Sequence, residues 1–296
     1  MEKIDLHIHS HCSDDGEFSP EDLLCFGKQA GLNYIAITDH NTVRGVSLAL
    51  SLAPQMDLEV ISGVELDCIH MGRNFHLLGY GFDHTLPVFA EIEQDILRQE
   101  TTSAEEKIVL IQKAIGVPLI TQEVLAAADG HIVTGELIAE ILLQKKEAKD
   151  CPALLPYLPG GARSDNPYVN FYWDYFSQGK PAYVPIHYIS LSEGVALLHE
   201  AGGIAVLAHP GQNLQNDYKF LEQMLKTGID GIEAYSSYHS RIEAAIFDQI
   251  AQNHQLLIAC GSDFHGKIKP SIPLCGHRAD DKMPLIIAAL KSRGIL

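Results

Sequence analysis

Residues 4–15 read IDLHIHSHCSDD. An apolar run carrying His7 and His9 two places apart predicts a short buried strand over Ile4–His9, with both imidazoles on one face. Two such imidazoles can reach one metal ion, and the carboxylates of Asp14 and Asp15 follow within a few residues. One H-x-H pair is weak evidence, because a single strand-end histidine is more often a satisfied structural residue. Repetition is what decides. YIAIT (Tyr34–Thr38) predicts a second strand that runs into Asp39-His40. LEVISGVEL (Leu58–Leu66) predicts a third, with Glu65 near its end. FHLLGY (Phe75–Tyr80) predicts a fourth, with His76 near its start. Later in the chain, GIAVLA (Gly203–Ala208) stops at His209, IDGIEAY (Ile229–Tyr235) precedes His239, and LLIACG (Leu256–Gly261) leads to Asp263-Phe264-His265.

Helices fill the intervals. Ser19-Pro20-Glu21 reads as a helix start, with Ser19 as cap and Pro20 in the first turn, and Gly31 closes that helix after Ala30. Further helices are predicted over Ser192–Ala201, Arg241–Asn253 and Pro284–Ser292. Strands alternating with helices predict β-α units around a parallel sheet. In a parallel barrel the C-terminal strand ends converge on one mouth. The rhythm is interrupted between residues 86 and 182. Leu86 to Lys149 is rich in Glu, Gln, Lys and Ala and reads as helix, and Cys151 to Pro185 is rich in Gly, Pro, Asn and aromatics. The expected organisation is a catalytic α/β domain, 1–85 with 183–296, carrying an inserted, mainly helical subdomain at 86–182 that caps the substrate.

Composition narrows the function. The formal net charge of −17 disfavours stable nucleic-acid or membrane binding, since both partners are themselves anionic. No apolar run reaches the roughly 18 residues a membrane helix needs, and MEKIDLHIHS carries no apolar signal segment, so a cytoplasmic protein is expected. The six cysteines form no C-x-x-C pair and read as reduced thiols. A small anionic substrate stays compatible with the charge, because bound cations reverse the local sign.

Histidine and carboxylate donors at this density suit manganese, iron or zinc. Nine donors exceed what one ion takes from protein while keeping an open position. Two or three divalent metal ions are therefore expected, with Glu65 as the bridging carboxylate. Of the other residues near the predicted mouth, His209, His239 and Asp39 are candidates for proton transfer, Asp39 also as a group that orients a ligand. In the insertion, Arg163 (GGARSDNP) and Lys180 (QGKPAY) are candidates for holding phosphate. Tyr168, Phe171, Tyr172 and Trp173 read as the insertion's own core, with a wall for a sugar or base as the alternative.

Four motifs in order, DLHIHSHCSDD, ITDHNT, LAHPG and GSDFHG, resemble those of the PHP family, named for polymerase and histidinol phosphatase. The resemblance covers about residues 1–85 and 183–296. It implies a distorted (β/α)7 barrel with a metal cluster at its C-terminal mouth. It also implies three ligand sets: His7, His9, Glu65 and Asp263; Asp14, His40 and His265, with Asp15 as the rival to Asp14; and Glu65, His76 and His209. A carboxylate at position 14 or 15, where other members have His, is similar to the small phosphoesterases with a helical insertion. The implied activity is metal-dependent hydrolysis of phosphate esters of a small, nucleotide- or ribose-phosphate-like metabolite, by a phosphomonoesterase or a cyclic phosphodiesterase. Histidinol-phosphate phosphatase is the rival within the family. A non-catalytic metal-binding module is disfavoured because no ligand position is lost. An amidohydrolase is disfavoured because no strand end carries the Lys that bridges metals there.

Overall fold

A computed structural model describes residues 2–214, 216–279 and 281–296. Its described residues form one eight-stranded sheet: β1 (Ile4–Ile8), β2 (Tyr34–Ile37), β3 (Glu59–His70), β4 (Arg73–Tyr80), β5 (Ile189–Ser190), β6 (Ile204–Leu207), β7 (Gly231–Ser236) and β8 (Leu257–Gly261). The order is β1-β2-β3-β4-β6-β7-β8, and β5 pairs beside β3. The two ends meet: Ile8 bridges Phe264 in parallel, the His9 N–H donates to the Phe264 carbonyl at 2.9 Å, and the Asp263 N–H donates to the His7 carbonyl at 2.7 Å. The sheet is thus a nearly closed barrel.

One strand departs from the expected parallel order. β4 runs antiparallel to both β3 and β6. The cause is local: Met71 and Gly72, at φ 49° and 80°, form a two-residue turn between the paired residues His70 and Arg73. Such a turn with positive φ at both places makes a hairpin, which leaves no room for a crossover helix. The reversal has a functional consequence. It sets the start of β4 at the end of β3, so His76 pairs opposite Asp67, two residues past Glu65.

Packing follows from the strand pattern. Ile4, Leu6, Tyr34, Ala36, Leu78, Val206, Leu257 and Ala259, drawn from most of the strands around the sheet, form one buried cluster inside the barrel. Val64, Leu66, Leu77, Ala205, Leu207 and Ile232 join a second cluster with the outer helices Leu191–Glu200, Tyr218–Met224 and Arg241–Asn253. A strand buried on both faces reads as a near-continuous apolar run, which is why the sequence betrays these segments. The register slips by one residue between Asp5 and Ile8 against β2, and again between Glu233 and Tyr235 against β8. Bulges of this kind re-aim side chains next to functional sites. Here Leu6 packs inside the barrel while the neighbouring His7 meets Glu65.

The chain divides into two compact units: residues 1–92, 188–264 and 272–296, and residues 93–187 with 265–271. The helix Pro87–Ile115 crosses the division without a break, so packing rather than a change of sequence texture sets the boundary. The second unit is mainly helical and has its own core, including Ile108, Ile111, Val124, Ile138, Leu142 and Phe171. Phe171 is buried in it, with Tyr168 and Tyr172 packed against it.

The first helix, Pro20–Ala30, is closed at both ends as its sequence dictates. Ser19 Oγ accepts the Asp22 N–H, Asp22 reaches back to Ser19, and Gly31 takes φ 76°. Replacing Ser19 with Ala should lower stability by about 1 kcal/mol, read as a shift in the denaturation midpoint with an unchanged slope. A midpoint equal to the parent's would show that the cap contributes nothing.

Candidate metal centre

Everything at the mouth of the barrel converges on one carboxylate. Glu65 is completely buried near the middle of β3. The chain holds it from both sides: its N–H donates to the Asp39 carbonyl at 3.1 Å and its carbonyl accepts the Asn41 N–H at 2.8 Å. Its Oε2 lies 3.0 Å from His7 Nε2, 3.1 Å from His9 Nε2 and 3.4 Å from His40 Nε2. Its Oε1 lies 2.8 Å from His76 Nδ1 and 3.1 Å from His209 Nε2. Asp263 Oδ1 stands 3.4 Å from His7 Nε2 and 3.2 Å from His9 Nε2. Within 4.8 Å of one another lie the donor atoms of His7, His9, Glu65 and Asp263, those of Glu65, His76 and His209, those of His9, Asp15 and His40, and those of His40, Asp67 and His76.

The far nitrogens of three of these rings explain what the near ones face. His7 Nδ1 is 2.9 Å from Glu233 Oε1, His76 Nε2 is 3.1 Å from Asp67 Oδ1, and His209 Nδ1 is 3.1 Å from Asn213 Oδ1. Each of these oxygens accepts, so each far nitrogen carries the proton. The near nitrogens then present lone pairs to the lone pairs of Glu65. Acceptors at about 3 Å repel unless a proton or a cation stands between them. The donor set therefore fits divalent metal ions, as neutral imidazole and carboxylate ligands with their outer nitrogens already oriented.

Electrostatics agree. Burial alone disfavours a charged His9, but Asp263 and Glu65 outweigh it and lift its pKa to about 9. For His76 burial is likewise overcome, by Glu65 and Asp67, to about 8. His7 is also raised, with Glu65, Glu233 and Asp263 overcoming burial. Burial penalises the Glu65 charge, yet the surrounding imidazoles hold its carboxyl well below the usual range. For His40 burial wins over Glu65, Asp15 and Asp67, and its pKa is lowered. Without cations, protons take the places between the rings and the carboxylates.

The other residues singled out in the sequence lie as follows. Of Asp14 and Asp15, it is Asp15 that joins the donor group with His9 and His40, and its Oδ1 also accepts from Ser13 Oγ at 2.6 Å. Asp39 is buried, and its two oxygens accept the N–H and hydroxyl of Ser10 at 2.6 and 2.7 Å. It holds the turn after β1, and burial raises its pKa to about 6. His239 is also buried, with Nδ1–H donating to the Ala234 carbonyl at 2.8 Å and Nε2 accepting the Gly211 N–H at 3.0 Å. Both nitrogens are committed to backbone, and burial lowers the pKa. In the second unit the Arg163 guanidinium forks onto Asp174 at 3.1 Å through Nε and Nη2, and Tyr157 donates to the same carboxylate. Lys180 is exposed there. His265 is buried, directly after Phe264. Glu233, Asp67 and Asn213 were missed in the sequence, where a lone Glu in IDGIEAY, an Asp two places past Glu65 and an Asn in GQNLQN carry no local signal.

A barrel whose mouth carries four overlapping His and carboxylate donor groups defines a metal-binding α/β-barrel protein. A PHP domain model matches residues 5–145, just under half of the chain. It is 29% identical over 266 residues to the 5'-3' exoribonuclease of Haemophilus influenzae, covering 89% of this chain and 90% of that protein. It is 29% identical over 277 residues to the phosphoribosyl 1,2-cyclic phosphate 1,2-diphosphodiesterase of Eggerthella lenta, covering 93% and 98%. A solved structure from Bifidobacterium adolescentis superposes with a TM-score of 0.76 at 24% identity, over 99% of this chain and 96% of that one, and shares the fold. Among the described residues no helix is long and apolar enough to cross a membrane.

These pKa values predict how the metal-stripped protein responds to pH. In the folded chain His9 and His76 hold a proton up to about 9 and about 8, while in the unfolded chain they lose it near 6.5. The resulting stabilisation is complete below the unfolded value and is lost as pH rises through the folded values. The melting temperature of chelator-treated protein should therefore fall between about pH 6.5 and pH 9. Because protons and metal compete for the same nitrogens, the gain on adding metal should grow over the same interval. A melting temperature that stays flat over this range would refute the reading.

Proposed function

We propose that this metal-dependent phosphoesterase hydrolyses a phosphate ester carried on ribose, using two or three divalent ions. The observation that carries the reading is Glu65, one buried carboxylate met by five imidazoles through both its oxygens. His7, His9, Glu65 and Asp263 are assigned to one ion, Asp15 and His40 to a second, and Glu65, His76 and His209 to a third. His265 is assigned to the second, because it follows Phe264, whose carbonyl takes the His9 N–H. Manganese, iron and zinc all suit this set. Such ions polarise phosphoryl oxygens and supply a nucleophile from water near neutral pH.

The chain's own residues do the rest. Glu65, whose Oε2 meets His7, His9 and His40 and whose Oε1 meets His76 and His209, would offer one oxygen to each of two ions. Glu233, Asp67 and Asn213 fix which nitrogen of each ring turns inward. Asp39 anchors Ser10 and so the turn that carries Asp15. His239 braces the backbone at Gly211, next to the His209 helix, and takes no part in proton transfer. The ribose-phosphate reading rests on what the two relatives are named for, an RNA exonuclease and a cyclic phosphoribosyl diesterase, whose substrates share a phosphate ester on ribose. A second reading, trimming of an RNA end, is favoured by the relatives named as 5'-3' exoribonucleases. The net charge of −17 opposes a long RNA track.

Phosphate and nucleotide release from manganese-loaded protein tests this directly. The panel holds ribose cyclic phosphates, nucleoside 3',5'-bisphosphates, histidinol phosphate, a 5'-phosphorylated RNA oligomer and an aryl phosphate. A ribose-borne ester should turn over well above the aryl ester, and His9→Ala should abolish it. Turnover confined to histidinol phosphate, or none from protein shown to carry metal, would overturn the reading.

The second unit, proposed as the substrate cap, offers Lys180 rather than Arg163 to a phosphate, since Arg163 is already paired with Asp174. Lys180→Ala should raise KM with kcat little changed. Arg163→Ala should lower the melting temperature and leave KM alone. The reverse pattern would return the phosphate contact to Arg163.

A further inference from the structure

Among the described residues, one fully buried carboxylate of the first unit touches both His7 and His209 yet belongs to none of the donor groups. Glu233 lies on β7, completely buried. Its Oε1 is 2.9 Å from His7 Nδ1. Its Oε2 accepts the backbone N–H of His209 at 2.8 Å. The two bonds reach opposite neighbours of the strand. His7 belongs to β1, beyond β8 in the sheet, and His209 follows β6 on the other side. His209 also has φ 23°, a region L-residues rarely occupy, so its backbone needs an external hold. The space for this carboxylate is reserved by Gly261 on β8. A Cβ there would stand 2.6 Å from Glu233 Oε1 and 2.1 Å from His7 Cβ.

We propose that Glu233 is the positioning residue of the metal centre, a single anion that sets the His7 tautomer and the His209 backbone together. The inference rests on reading the donor cluster as a metal centre. Its logic is the donor count. Both groups that meet Glu233 are donors: the His209 N–H has no alternative, and His7 must keep its proton on Nδ1 so that Nε2 stays bare toward Glu65 and Asp263. A carboxylate accepts from both. An amide cannot. In Glu233→Gln the carbonyl must face the His209 N–H, which turns the amide NH2 toward His7. His7 then accepts on Nδ1 and carries its proton on Nε2, aimed at the place the ion occupies. The substitution keeps size and shape and reverses one hydrogen bond.

The test uses the full chain and the metal alone. Zinc and manganese affinity, by chelator competition, and ions bound per chain are measured for wild type, Glu233→Gln and Asp248→Asn. Asp248 is a buried carboxylate that binds Tyr235, Gln252 and Lys282, away from the donor groups, and serves as the control for destabilisation alone. Glu233→Gln should lose about 10- to 100-fold in affinity. It should also lose one ion per chain, while the melting temperature of its chelated form stays near that of the control. Asp248→Asn should lose stability without losing affinity. Equal affinity and stoichiometry in wild type and Glu233→Gln would overturn the proposal. A wild type that binds neither metal would overturn the metal centre itself, a separate result.

If Glu233→Gln does not fold, nitrogen NMR of zinc-loaded wild type decides. A proton on His7 Nδ1 with metal on Nε2 is the expected state. Metal on Nδ1, or no proton there, would overturn the assignment.

Discussion

The structure depends on one constraint, the placing of a single buried carboxylate, Glu65, among five imidazoles. A buried carboxylate is costly unless its charge is met, and buried imidazoles are costly unless their nitrogens are satisfied. Each meets part of the other's requirement, with protons or cations between them. The rings arrive from β1, from the loop after β2, from β4 and from the end of β6, and Asp263 arrives just past β8. His40 and His76 reach Glu65 from the strands beside its own, but Asp263 meets His7 and His9 only because the sheet curls far enough to bring β8 beside β1. The barrel's closure and the cluster are therefore the same structural event, marked by the Ile8–Phe264 bridge between the two histidine motifs.

That convergence is bought with local irregularity. β1 and β7 each carry an extra residue, and these slips fall beside His7 and Glu233. Asn41, His209 and Asp263 all have positive φ. Each lies in the loop that follows a strand and each touches the donor groups or their supports. Positive φ in residues other than glycine persists where surrounding contacts over-determine it. Asn41 shows how. Its amide binds the Asp67 carboxylate at 2.6 Å and accepts the Asp67 N–H at 2.9 Å, so the bent backbone and the carboxylate facing His76 stabilise one another.

Outside the cluster, several polar residues singled out in the sequence already have their partners, in each unit by itself. His239 spans two backbone groups, Asp39 ties down Ser10, and Arg163 closes onto Asp174. Each has the residue type of a catalytic or substrate-binding group. What separates them from ligands is the number of partners already in place.

Much of the barrel was legible because its signals are local. Apolar runs marked the strands, and the helices Pro20–Ala30 and Arg241–Asn253 have the bounds their caps and periodicity suggested. The donor residues were visible too, since strand ends are where a barrel gathers chemistry. The direction of β4 was not read, although Met71-Gly72 carried the signal, because a two-residue turn is easily lost beside a strong strand. The rest had no local trace. Which of Asp14 and Asp15 faces His9, which nitrogen of each ring turns inward, and the part of Glu233 depend on contacts between residues as far apart as His7 and Glu233. The amino-acid order by itself determined which donors exist and at which strand ends they stand. Only the tertiary structure decided their partners, because a hydrogen bond's direction is settled by the group across the barrel and not by the neighbour along the chain.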